Sequence, residues 1–365
     1  MRSISDTIER LRKLRAAKGQ AFHPDGVLSD LGPFGTNPGG LEARAHIPAR
    51  LPLHSALVVV LHGCTQTASG YDYGSGWSRL ADDYGFAVLF PQQTQSNNAN
   101  TCFNWFVPDD IGRGRGEAAS IRQMIETATL RYDIDRRRIF ITGLSAGGAM
   151  ANVMLVTYPE VFAGGAIIAG LPYRTATTIP AAFDRMRGYG TPDATTLQSL
   201  LRNASGHKGP WPTISVWQGT RDATVAPSNA MFIIDQWRGV HDVPPKPDLI
   251  ETFDGHTRQA WKSADGRAVI EHFSISGMGH GTPIDPRSGY GRSGPYMLDV
   301  GISSTFHIAR TWGLVASFDR RQEQDLDFNL PIQPMSVTTR VSSSGPTSGI
   351  QNTIEDALRA AGLMK

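Results

Sequence analysis

The pentapeptide Gly143-Leu144-Ser145-Ala146-Gly147 is the first place where residue types and spacing together imply a reaction. A serine flanked at two-residue steps by glycines suits a sharp turn from a strand into a helix. The backbone there is strained, and larger side chains beside the serine would collide with neighbouring elements. The motif follows the aliphatic run Ile139-Phe140-Ile141-Thr142 and opens a helical pattern over 147–158, which is the context it requires. Its spacing is not that of a dinucleotide or P-loop fingerprint. A serine hydroxyl attacks a carbonyl carbon only when a base takes its proton, and an acid must orient that base. On a scaffold of this kind the acid and the histidine follow in that order, each after a later strand. Asp222 stands in the loop after Ile214-Ser215-Val216-Trp217, and His280, in Gly277-Met278-Gly279-His280-Gly281, follows the strand ending at Ile275. Ser145, Asp222 and His280 are therefore expected as nucleophile, orienting acid and base. The rival histidines are worse placed: His207, His241 and His256 in loops or helix ends, His272 inside a strand, His307 in a helix-like stretch.

Acyl transfer also creates an oxyanion, which two backbone N–H groups can stabilise. One is expected from Ala146, at the N-terminus of the new helix, where the helix dipole adds to the effect. The other is expected from Cys64, in His62-Gly63-Cys64-Thr65-Gln66 after the first core strand. His62 itself reads as a packing residue that supports this loop. Trp105, Tyr173 and Met278, with Phe103 and Phe106, lie beside the reactive loops in sequence and are candidates to line a substrate pocket. Core packing is an equally good account of each.

The elements that must hold these residues are short apolar runs separated by helical windows. Leu57–Leu61, Phe86–Phe90 (stopped by Pro91), Arg138–Gly143, Gly165–Ala169, Ile214–Trp217 and Val269–Ile275 read as strands; 117–131 and 227–239 read as helices. Strands buried on both faces and joined by helices make a mostly parallel sheet with helices on both faces, an α/β fold. Ala43–Ile47 reads as an antiparallel edge strand ahead of it.

The 365 residues, 40% of them hydrophobic, suffice for a core that needs no staple. A net charge of +2, from 35 basic and 33 acidic residues without long like-charged runs, gives no reason to expect a nucleic-acid partner. No apolar stretch is long enough for a membrane span. The first 20 residues form an amphipathic helical pattern on Ile4, Ile8, Leu11 and Leu14, with no apolar core of a secretory signal. Three regions are expected: 1–40 with that helix and a Gly/Pro-rich loop, 41–316 as the α/β domain, and 317–365 as a polar tail ending in a short helix. The two cysteines, Cys64 and Cys102, allow one bridge or two small buried thiols.

The segments LHGCTQTASGYD, NWF at 104–106, GLSAGGAMANVM and SSTFHIARTWGL together resemble the polyhydroxybutyrate-depolymerase-like esterases, which border the feruloyl and acetyl-xylan esterases. The likeness covers about residues 45–316. It implies an α/β-hydrolase fold, no cofactor or metal, and a triad at the three positions above. It also implies a Cys64–Cys102 disulfide, which would suit an oxidising compartment although no leader is visible. The activity expected from it is hydrolysis of short-chain hydroxyacyl esters, oligomers or polymers of 3-hydroxybutyrate included. A feruloyl or acetyl-xylan esterase is the alternative, and a non-catalytic binding protein on the same fold is the third reading. The oligomeric state is left open.

Overall fold

A computed structural model describes residues 27–315. The expected N-terminal helix and the polar tail lie outside these residues. The chain divides into the units Met1–Leu314 and Val315–Lys365, and the fold belongs to the first.

The apolar runs form the centre of a ten-stranded sheet. In chain order its strands are β1 (Ser29–Asp30), β2 (Glu42–His46), β3 (Ser55–Leu61), β4 (Ala87–Gln92), β5 (Ile134–Leu144), β6 (Gly164–Ile168), β7 (Thr213–Gly219), β8 (Leu249–Phe253), β9 (His256–Lys262) and β10 (Ala268–Ile275). Their spatial order is β1-β2-β4-β3-β5-β6-β7-β10-β9-β8. From β4 to β10 all neighbours are parallel, whereas β2 joins β4 antiparallel and β9 joins β10 antiparallel. Every residue of β3 and β6 is buried, which is why these strands are aliphatic without alternation. A second, two-stranded sheet pairs β11 (Thr282–Ile284) with β12 (Met297–Asp299).

Eight α-helices are described: α1 (Ala68–Ser75), α2 (Trp77–Tyr84), α3 (Gly116–Arg131), α4 (Ala146–Thr157), α5 (Ile179–Met186), α6 (Ala194–Arg202), α7 (Ser228–His241) and α8 (Ser304–Thr311). Helix α4 is buried along its whole length, so its sequence is apolar and small-residue-rich on every side.

Two expectations are corrected. Pro91 does not stop its strand: β4 runs to Gln92, and Pro91 pairs with Ala43 of β2. The last pairing of β4 with β3 is Leu89 with Val59, so the amide that proline lacks has no ladder bond to lose on that side. His256 is not in a loop but opens β9, part of an edge hairpin absent from the strands read off the sequence. The hairpin turns on Asp254-Gly255, with φ of 48° and 79°, between the paired residues Phe253 and His256. Two successive positive φ angles match the primed turns that Asp-Gly favours.

Candidate active site

Parallel strands carry their C-terminal ends to one edge of the sheet, and β5, β6, β7 and β10 are successive neighbours. Ser145 follows β5, Asp222 follows β7, and His280 follows β10, so all three loops leave the same edge. Ser145 has φ 58° and ψ −119°, a left-handed conformation in a residue with a Cβ. Its N–H donates to Ile168 O at the end of β6, at 2.9 Å. The turn is possible because its glycines face backbone. A Cβ on Gly147 would strike the carbonyl groups of Leu61 and His62, and one on Gly143 would strike Gly147.

Asp222 is the most tightly held side chain of the site. Its Oδ1 accepts the N–H groups of Thr224 at 2.9 Å and Val225 at 2.8 Å; its Oδ2 accepts Gln218 Nε2 at 3.0 Å and His280 Nδ1 at 2.8 Å. Four donors saturate the carboxylate and leave it no freedom to rotate. Because Nδ1 of His280 donates to Asp222, Nε2 is left as the acceptor, the tautomer that a general base requires. The two loops are also joined through backbone: Arg221 N–H donates to Met278 O at 2.9 Å, and Thr220 N–H to Ile275 O at 3.0 Å. Gly219 is needed between them, since a Cβ there would come within 2.6 Å of Gly279 O. Among the described residues no hydrogen bond joins Ser145 Oγ to His280. That contact is often long before substrate binds.

In the loop that follows β3, three of the four amides from 63 to 66 have acceptors. Gly63 N–H donates to Gln66 Oε1 at 2.8 Å, Thr65 N–H to Asn100 O at 2.7 Å, and Gln66 N–H to Gly63 O at 3.3 Å. Cys64 N–H has no acceptor among the described residues, which leaves it available to a ligand. Ala146 N–H, first in α4, is likewise outside the helix's own bonding. Cys64 and Cys102 form a disulfide, with Cα atoms 4.2 Å apart, closing 38 residues of chain. His62 is buried; its Nδ1 donates to Gly63 O at 2.8 Å, and its Nε2 accepts Gln93 N–H at 3.2 Å. Burial lowers its pKa to about 4 against the pull of the Gly63 bond. With both nitrogens engaged and the ring neutral, it buttresses the loop rather than moving protons.

Trp105 belongs to a small apolar cluster with Ala146, Ala149, Leu171, Ala182 and Val225, bordered by the disulfide, Phe106 and Met186. Tyr173 lies elsewhere: it is part of the main core, its hydroxyl donates to Ile111 O at 3.4 Å, and its backbone N–H donates to Gln236 Oε1 at 2.8 Å. Met278 is buried in the histidine loop, with its carbonyl committed to Arg221. One residue at the site was missed. Tyr296 sets its ring edge-on to His280, with centroids 6.2 Å apart, and has φ 62°. Burial pushes its phenol up while the neighbouring Thr65 side chain pulls it down. No local sequence signal marks it, because it is brought in by the pairing of β12 with β11. Among the described residues no group of three or more His, Cys, Asp or Glu could hold a metal ion, and no helix is long and apolar enough to cross a membrane.

Fold and comparisons agree on the class. The structure superposes on an acetyl xylan esterase from Aspergillus awamori with a TM-score of 0.68 at 24% identity, over 80% of this chain and 100% of that one. This is an α/β-hydrolase fold. Over 293 residues the chain is 45% identical to poly(3-hydroxyalkanoate) depolymerase C of Paucimonas lemoignei, covering 79% of this chain and 70% of that protein. It is 30% identical over 274 residues to an acetylxylan esterase of Coprinopsis cinerea, covering 71% of this chain and 70% of that one. Residues 45–242 match the family described as Esterase PHB depolymerase. The chain belongs to that family and is a serine-type carboxylic ester hydrolase.

Proposed function

We propose that the protein hydrolyses esters of short hydroxyacyl units, oligomers or polymers of 3-hydroxybutyrate among them, through an acyl-enzyme on Ser145. Ser145 Oγ attacks the ester carbonyl as its proton passes to His280 Nε2, with Asp222 holding the imidazole and stabilising its charged form. The tetrahedral oxyanion lies between the N–H groups of Cys64 and Ala146. The bond to the alcohol oxygen then breaks as His280 protonates that oxygen. Water, deprotonated by the same imidazole, releases the acid and restores the serine. Trp105 and its cluster line the pocket; Tyr173 has no part in it, and Met278 contributes by carrying the histidine loop.

The observation that carries the chemistry is the saturated Asp222 carboxylate with His280 Nδ1 as one of its four donors. The 45% identity to a poly(3-hydroxyalkanoate) depolymerase favours the hydroxyacyl substrate. The acetylxylan esterase relatives support a second reading, deacetylation of xylan. The test is a panel of p-nitrophenyl esters of graded acyl length, a 3-hydroxybutyrate trimer and acetylated xylan. Preference for the trimer supports the proposal, and preference for acetylated xylan replaces it with the second reading.

A further inference from the structure

Glu117, in the first turn of α3, is fully buried and has no part in the steps above. Its carboxyl group accepts three N–H groups: Oε1 from Gln93 Nε2 at 2.6 Å and Asn97 Nδ2 at 3.1 Å, Oε2 from the Asn104 backbone at 2.8 Å. All three donors lie in one segment, 93–104. Burial raises the pKa of Glu117 to about 8, Asp110 pushes it the same way, and the three bonds oppose the shift. Burying an acid is costly unless its bonds do something an apolar residue could not.

Segment 93–104 supports the oxyanion loop at several points. Cys102 is bonded to Cys64, Asn100 O accepts the Thr65 N–H, and Gln93 N–H donates to His62 Nε2. Gln93 Nε2 also donates to Cys102 O at 3.0 Å, so the side chain that meets Glu117 also meets the bridged cysteine. We infer that Glu117 is a positioning residue for the oxyanion pocket: it fixes segment 93–104, and through the disulfide and the Asn100–Thr65 bond it aims the Cys64 N–H at the substrate. The inference rests on the role proposed above for Cys64.

Glu117→Gln keeps the shape but sets an amide NH2 against N–H donors, so at least one of the three bonds is lost whichever way the amide turns. The Cys64 N–H matters most in the tetrahedral state, so the loss should appear in turnover rather than substrate binding. On p-nitrophenyl butyrate, kcat should fall about 10- to 100-fold while KM stays within about twofold. Phenylboronic acid, which accepts the serine oxygen to form a tetrahedral adduct, should bind more weakly by the same factor. Glu117→Asp, which keeps a carboxyl group with two oxygens able to accept, should recover part of the loss. Unchanged kcat, or a rise in KM with boronate affinity intact, would overturn the inference. If Glu117→Gln does not fold, the exposed Asn97→Ala, which removes one donor, should show the same pattern at roughly threefold or more. No change in that variant would overturn it equally. Wild-type activity that survives Ser145→Ala would sink the acyl-enzyme reading and this inference together, whereas serine-dependent activity that is indifferent to Glu117→Gln sinks this inference alone.

Discussion

The two sides of the proposed oxyanion pocket present the same chemical group, a backbone N–H, by opposite means. On the Ala146 side, regular structure does the work: β5 runs into α4, and glycines let the turn press against Leu61, His62 and Ile168. On the Cys64 side the amide stands in the short loop between β3 and α1 rather than at the start of a helix. The loop is held by a disulfide, a buried histidine and a segment anchored on the buried Glu117 carboxyl group. The first side should fail when something is added, and the second when something is removed.

A large effect on both stability and turnover is expected from adding a methyl group on the first side. In Gly147→Ala the new Cβ meets the carbonyl groups of Leu61 and His62, which are backbone and cannot step aside. We expect about 1–3 kcal/mol of lost stability by chemical denaturation and about a 100-fold lower kcat. Wild-type stability and turnover in this variant would show that the turn is looser than its geometry. Asp222→Asn tests what both sides serve. An amide cannot accept all four donors, and the imidazole loses its preferred tautomer, so turnover should drop about 100- to 10,000-fold with the fold retained. A loss under tenfold would remove Asp222 from the proposed relay.

Removing the bridge should come next. The double variant Cys64→Ala, Cys102→Ala releases a 38-residue closure, which should lower stability by about 2–4 kcal/mol and turnover about tenfold. Equal stability with and without the bridge would mean that the polar network alone fixes the second side. The smallest effect is the pH dependence of stability. Glu117 has a folded pKa of about 8, above its ordinary 4.5, because of burial. The folded state therefore keeps a proton that the unfolded chain releases. Its contribution is complete below about pH 4.5 and is lost as pH rises to about 8. Denaturation midpoints of wild type should fall relative to Glu117→Gln between pH 5 and 8; parallel profiles would contradict a raised pKa.

The same contrast explains what could be read from the sequence. Ser145, Asp222 and His280 each follow a recognisable apolar strand, and parallel pairing of β5, β6, β7 and β10 is enough to bring their loops to one edge. The Gly-x-Ser-x-Gly spacing is itself a record of backbone crowding. Cys64 was legible as an amide donor only through its place after β3, and its pairing with Cys102 only through family resemblance. Glu117 was not legible, because a glutamate in the first turn of a helix looks the same whether it faces water or closes a buried network. Nearness in sequence to the reactive loops does not say which way a ring points: the structure places Tyr173 in the main core, with its hydroxyl bonded to Ile111 O. Tyr296 reaches His280 through tertiary pairing with no local signature. The β8–β9 hairpin, by contrast, had a readable Asp-Gly turn.

The most direct test of the acyl-enzyme is to trap it. Incubation with a fluorophosphonate should add one adduct per chain, map by peptide mass spectrometry to Ser145, and abolish ester hydrolysis in proportion to labelling. Ser145→Ala should be unlabelled, folded, and slower by about 10⁴-fold or more. Labelling elsewhere, or hydrolysis that persists in Ser145→Ala, would contradict the account.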